Sequence, residues 1–248
     1  MPIKRQAAKK DNFAIQPETT SAMTLKAVFF DMDGVLYDSM PNHASTWKKA
    51  FATVGIDYPE ASAYENEGRT SKGTIELTYR THLKREATPE EVHAVQTLKT
   101  QLMTQSPAPA PLPGIQPLMA QLREAGIRTL IVTGSKQPSL LNRVKNDFGI
   151  DASEMITGND VTREKPDPQP YLMALERAGI DAHEAIVIEN APLGVRSAKA
   201  AGIATIAVNT GILPDSRLLE EGADRVLNGT APLYEQWAEV AAEVSRKR

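Results

Sequence analysis

Two carboxylates, Asp31 and Asp33, follow directly on the apolar run Ala27-Val28-Phe29-Phe30. A short run of this kind reads as a strand buried on both faces. Gly34 comes next and lets the chain turn. The pair is therefore expected at the carboxyl end of a strand, where open α/β sheets bind ligands. Held there, two carboxylates can bind a divalent metal, with one attacking phosphorus and the other moving protons. The bland alternative is that Asp33 and Asp38 are turn-forming carboxylates, which are common at strand ends.

Further polar groups fall at similar places. Thr133-Gly134-Ser135 follows the run Thr129-Leu130-Ile131-Val132, and Glu189-Asn190 follows Ala185-Ile186-Val187-Ile188. Lys165-Pro166-Asp167-Pro168 precedes a helix, with Asp167 as its N-cap and Pro168 in its first turn. These residue types suit phosphoryl transfer. A phosphate ester is anionic, so an anionic nucleophile needs its repulsion cancelled. A divalent cation bound by oxygens does that, an ammonium adds positive charge, and a hydroxyl with backbone N–H groups holds the non-transferring oxygens. Taken singly, each group also reads as a plain loop, a solvated lysine or a helix cap.

The elements that must bring these groups together alternate. Beyond Gly114 the pattern is strand, loop, helix, repeated, with a further buried run at Ile203-Ala204-Thr205-Ile206-Ala207-Val208 and a helix marked by Leu172, Leu175 and Ala178. Such alternation argues for a parallel sheet with right-handed crossovers. A short strand near Asp224-Arg225-Val226-Leu227 and a last helix carrying Leu233, Trp237, Val240 and Val244 close the domain. Between the first two strands the pattern differs. Trp47, Ala50, Phe51 and Val54 recur at helical spacing, and a mostly helical stretch runs from Ser71 to Met103, with Thr88-Pro89-Glu90-Glu91 as a helix start inside it. The proline-dense segment Ser106 to Gly114 cannot continue a helix or a central strand and reads as a linker. The chain thus divides into an α/β core from residues 25–40 and 111–248 and an inserted helical module at 41–110.

Composition bounds the rest. A net charge of −3 over 248 residues gives no support for nucleic-acid or membrane binding, and no run is long and apolar enough to span a bilayer. The absence of cysteine rules out a disulfide, a thiolate nucleophile and a cysteine metal site, and fits a cytoplasmic location. Residues 1–24 carry Lys4, Arg5, Lys9 and Lys10 with no apolar signal core. They read as a disordered leader, a basic arm being the alternative, and Met23 is a candidate physiological start.

In chain order, the DxDGxLxDS run from Asp31 to Ser39, then Thr133-Gly134-Ser135, Lys165-Pro166 and Glu189-Asn190, resembles the four motifs of the haloacid dehalogenase superfamily, mostly Mg²⁺-dependent phosphotransferases. The resemblance implies a Rossmann-like α/β core with an inserted α-helical cap. It implies that Asp31 is the nucleophile, forming an aspartyl-phosphate, and Asp33 the general acid/base. Thr133 becomes the phosphate-binding hydroxyl, helped by the Gly134 and Ser135 backbone, and Lys165 bridges nucleophile and phosphate. Asp31, the Asp33 carbonyl, Glu189 and Asn190 would hold Mg²⁺. Many relatives carry Asp at the place of Asn190, so weaker metal binding is expected here. Asp38 and Ser39 are expected to shape the hinge into the cap.

Pro41-Asn42-His43, Glu67-Gly68-Arg69-Thr70 and Val187 to Gly194 resemble the β-phosphoglucomutase-like branch, which holds hexose-phosphate mutases, small-ester phosphatases and some pyrophosphatases. His43, Glu67 and Arg69 are the expected substrate contacts, Arg69 as a grip on a second phosphate, and Lys99 is a further candidate without a settled register. The expectation is a Mg²⁺-dependent phosphohydrolase acting on a small phosphorylated metabolite or pyrophosphate. The alternative is a β-phosphoglucomutase, and the less favoured reading a non-catalytic phosphate-binding module. The oligomeric state stays open, a monomer being compatible.

Overall fold

The computed structural model of the chain describes residues 25–136 and 138–246; the expected leader, with Met23, lies outside them. Among the described residues six strands form one parallel sheet: β1 (Ala27–Phe30), β2 (Arg128–Val132), β3 (Met155–Ile156), β4 (Ala185–Glu189), β5 (Ala204–Val208) and β6 (Arg225–Leu227). Their spatial order is β3-β2-β1-β4-β5-β6. The chain moves outward from β1 first to one side, then to the other, so the strand order reverses beside β1. That is where a crevice opens in a sheet of this kind. The two-residue β3 was not foreseen, because two apolar residues carry no readable period.

Both sheet faces are covered, as the unbroken apolar runs require. Val28 and Phe30 point to one face, packing with α5 (Ile115–Glu124), α6 (Pro138–Phe148), α10 (Thr230–Glu235) and α11 (Trp237–Arg246). Ala27 and Phe29 point to the other, where α7 (Gln169–Ala178) and α8 (Pro192–Ala200) supply Tyr171, Ala174 and Ala198. A small satellite cluster sets Leu218 of α9 (Asp215–Glu220) against Val195 and Ala207.

Between β1 and β2 the chain builds a separate helical unit from α1 (Met40–Ala52), α2 (Glu60–Glu65), α3 (Ser71–Thr78) and α4 (Pro89–Gln105), with a π turn at Tyr79–Leu83. It has its own core of Trp47, Phe51, Tyr58, Ile75, Tyr79 and Val95. Trp47 and Phe51 stack with centroids 5.2 Å apart, one helical turn along α1. The expected start of α4 is a full capping box between Thr88 and Glu91. The proline-rich return passes Asp38, whose N–H donates to the Ala110 carbonyl at 2.9 Å. The two chain crossings between core and helical unit are thereby tied together.

Candidate active site

Strand register decides which residues meet. Phe30 pairs with Ile131 of β2 and with Ile188 of β4, so the residue after β1 lies level with Val132 and Glu189. Asp31, Asp33, Thr133, Lys165 and Glu189 are all buried, none more than 5 % exposed. Lys165 Nζ donates to Asp31 Oδ1 at 2.6 Å, to Glu189 Oε1 at 2.6 Å and to the Val132 carbonyl at 3.1 Å. Burial pushes the Asp31 carboxyl well above the usual carboxylate range, with Glu189 and Asp33 adding to the rise and Lys165 opposing it. Burial alone would discharge the Lys165 ammonium, but the two carboxylates beside it hold its pKa well above the ordinary lysine value.

Glu189 was expected among the metal ligands. Both of its oxygens accept from protein donors. Oε1 accepts from Lys165 and from the Tyr171 hydroxyl at 2.8 Å; Oε2 accepts from the backbone N–H groups of Asn190 at 2.9 Å and Ala191 at 3.2 Å. A Cβ at position 194 would collide with this carboxylate, so Gly194 is what lets α8 approach it. Tyr171 of α7, which no sequence signal singled out, also places its ring 5.0 Å from the lysine nitrogen.

Asn190 behaves differently. Its amide packs on Gly34, which turns at φ 80° and leaves no room for a side chain there. Its Oδ1 is buried with no hydrogen-bond partner. A buried oxygen without a donor is what a cation would satisfy. Among the described residues no three His, Cys, Asp or Glu side chains form a metal-holding group. A set made of the Asp31 carboxylate, the Asp33 carbonyl and the Asn190 amide oxygen is outside that class, and its oxygen donors fit Mg²⁺.

Asp33 faces the helical unit. Its Oδ1 accepts from Ser39 Oγ at 2.6 Å, and His43 Nε2 lies 3.5 Å away. Ser39, expected only to shape the hinge, thus touches the site. His43 Nδ1 lies 3.8 Å from Glu67 Oε2. Burial would raise the Asp33 carboxyl, but His43, the Ser39 hydroxyl and Lys99 outweigh it and hold Asp33 below its ordinary value. Burial raises Glu67, helped by the Asp33 charge, and lowers Lys99. Lys99 lies 5.3 Å from the Trp47 ring, and its charge acts on both acids.

The remaining candidates meet at the other rim. Thr133 N–H donates to the Ile156 carbonyl at 2.9 Å, and its hydroxyl accepts from Ser135 N–H at 3.0 Å. A Cβ at Gly134 would lie 3.5 Å from the Gly68 carbonyl, and one at Gly68 only 3.1 Å from Lys165 Cδ. The Glu67-Gly68-Arg69 turn is thus pressed onto the rim that carries Thr133 and Lys165, leaving a void of about 10 Å³ among Gly68, Thr133, Gly134, Glu164 and Lys165. Arg69 runs its stem along Gly73 and buries Nε without a partner. A roomier groove of about 230 Å³, between α5 and α6 around Arg123 and Asp147, lies apart from these groups.

Comparison with known proteins places the chain in a family. Residues 25–202 match the model of the haloacid dehalogenase-like hydrolase family. A solved Bacteroides vulgatus protein, provisionally named a β-phosphoglucomutase, is 42 % identical with a TM-score of 0.85, over 90 % of this chain and 92 % of its own. Hexitol phosphatase A of Escherichia coli is 32 % identical over 75 % of this chain and 84 % of that protein. CbbY from Rhodobacter sphaeroides, solved in complex with xylulose-(1,5)bisphosphate, is 26 % identical with a TM-score of 0.67, over 85 % and 96 % of the two chains.

Proposed function

Because the chain belongs to the haloacid dehalogenase-like hydrolase family, we propose that it is a Mg²⁺-dependent phosphohydrolase of small phosphorylated sugars, working through an aspartyl-phosphate on Asp31. One observation carries the reading: a buried Asp31 bridged by Lys165 at 2.6 Å, with Asp33 two residues on and turned to hydrogen-bonding partners of its own. Two carboxylates in different surroundings can divide nucleophilic and proton-transfer work. The sugar-phosphate class rests on hexitol phosphatase A and CbbY.

In this mechanism Asp31 attacks phosphorus, forming the acyl-phosphate bond as the ester P–O bond breaks. Asp33 gives its proton to the leaving oxygen, then takes one from the water that hydrolyses the acyl-phosphate. An incoming phosphoryl group beside Asp33 favours its protonated form, as any second negative charge does. Lys165 holds Asp31 in line and offsets charge on the phosphoryl oxygens; Thr133 and the Gly134 and Ser135 backbone hold the others. Asp31, the Asp33 carbonyl and Asn190 would hold Mg²⁺, which when bound supplies charge neutralisation between nucleophile and phosphate. Glu189 is assigned to orienting Lys165. The helical unit, residues 41–110, is the cap that excludes water, with His43, Glu67 and Arg69 facing the leaving group.

A second reading, a hexose-phosphate mutase, is favoured by the 42 % identity to the Bacteroides vulgatus protein. The two share their first half-reaction and differ in the acceptor. The test incubates the enzyme and Mg²⁺ with hexitol and sugar phosphates, pyrophosphate, and β-glucose 1-phosphate primed with the bisphosphate. Phosphate release from a sugar phosphate, lost in Asp31→Asn, is expected. Glucose 6-phosphate without phosphate release would replace the hydrolase by the mutase. No turnover of any compound would leave a phosphate-binding module.

A further inference from the structure

A helix start leaves backbone N–H groups unpaired, and a capping box repairs this reciprocally. Helix α4 does so with its own residues: Thr88 Oγ1 accepts from Glu91 N–H at 3.3 Å, and Glu91 Oε2 accepts from Thr88 N–H at 2.9 Å. Helix α3 has only half of that arrangement. Thr70 Oγ1 accepts from Gly73 N–H at 3.1 Å, but the position that should return the bond is glycine. The missing carboxylate comes from the core. Glu164 Oε2, 94 residues along the chain, accepts from Thr70 N–H at 2.5 Å. A Cβ at Gly73 would stand 2.6 Å from Glu164 Oε1, so the absent side chain makes the room.

We infer that Glu164 is a positioning residue that latches the cap over the active site, by completing the α3 capping box from across the domain boundary. Its place in the chain gives the latch its purpose. Glu164 immediately precedes Lys165, whose Nζ bridges Asp31 and Glu189. The turn that leads into α3 carries Gly68, which lies against the Lys165 side chain. One carboxylate thus ties the substrate-facing turn to the segment that holds the catalytic lysine. The bond exists only while the cap is closed, so opening exposes an uncapped α3 and a free Glu164, and closing satisfies both. Another core-to-cap tie, the two-pronged pair of Arg217 with Glu65 at 2.9 Å, is partly open to solvent, where such pairs contribute little.

The inference rests on the proposed hydrolase reading, in which the helical unit is a closing cap, and its test separates the two. Four proteins are compared: wild type, Glu164→Ala, Glu164→Gln, and the double variant Glu164→Ala/Gly73→Glu, which gives α3 a capping box of its own. Loss of one charge-assisted hydrogen bond should shift closure, and lower kcat/KM on the best phosphate ester, by roughly ten- to a hundredfold in Glu164→Ala. Glu164→Gln, whose amide oxygen still accepts from Thr70, should recover part of that. The double variant should regain thermal stability; its new side chain also crowds the Arg69 stem, so the loss of kcat/KM is judged from Glu164→Ala and Glu164→Gln. If the double variant regains stability and kcat/KM together, Glu164 only caps a helix and the latch is wrong. An effect under twofold in Glu164→Ala would overturn it as well. Amide hydrogen exchange at Thr70 to Gly73, measured with Mg²⁺ and inorganic phosphate, needs no turnover. Faster exchange in Glu164→Ala is expected even if the hydrolase reading fails, and unchanged exchange would refute the latch on its own.

Discussion

Glu189→Gln tests whether this side chain is a hub for protein donors or a ligand for metal. Four donors converge on the carboxylate, two per oxygen: Lys165 Nζ and Tyr171 OH on Oε1, the Asn190 and Ala191 N–H groups on Oε2. A glutamine keeps one accepting oxygen. In either orientation its NH₂ faces donors, so at least two hydrogen bonds to a charged group are lost in a site with no exposure to water. At about 1.5 kcal/mol each, the low end for such bonds, the loss is about 3 kcal/mol. The Lys165 ammonium also keeps one carboxylate partner where it had two, which adds to the cost. For a chain of this size about 3 kcal/mol lowers Tm by roughly 6–12 °C. The measurement is thermal unfolding of wild type and variant with a chelator present and no added metal. A variant that melts within about 1 °C of wild type, while losing Mg²⁺ affinity, would refute the hub and restore Glu189 as a ligand.

Three other outcomes are expected. Asp33→Asn should slow both half-reactions by about 10²–10⁴-fold, the first read as the burst of leaving-alcohol release and the second as steady-state phosphate release. Turnover equal to wild type would remove Asp33 from proton transfer. Asn190→Asp should tighten Mg²⁺ binding by about tenfold or more, since one further charge within about 4 Å of a divalent cation is worth about 2 kcal/mol even at the dielectric of bulk water. Calorimetric titration with Mg²⁺ checks this, and equal affinity would place Asn190 outside the metal set. Trp47→Ala should destabilise the helical unit by about 3–5 kcal/mol, because it removes a buried ring stacked on Phe51 and lying under Lys99. Chemical denaturation measures the loss, and an unchanged midpoint would contradict the separate helical core.

Much of the molecule was legible in the chain because its signals are local. Unbroken apolar runs announce strands buried on both faces, and the runs before Asp31, Thr133 and Glu189 became β1, β2 and β4. Turn and cap chemistry is local too, so the Thr88 capping box and the helical insertion were readable, while α7 begins one residue later than the Pro168 start expected. Which polar residues stand together is decided otherwise. The pairing of Phe30 with both Ile131 and Ile188 brings distant carboxylates level, and no residue in any one strand encodes its neighbours. No local signal singled out Tyr171 or Glu164, because one bonds across 18 residues and the other across 94. Residue type established that carboxylates, a lysine and an amide were available for phosphoryl chemistry. Tertiary packing apportioned them: desolvation and contact at 2.6–2.8 Å draw Glu189 to Lys165 and Tyr171, and leave the Asn190 oxygen without a partner.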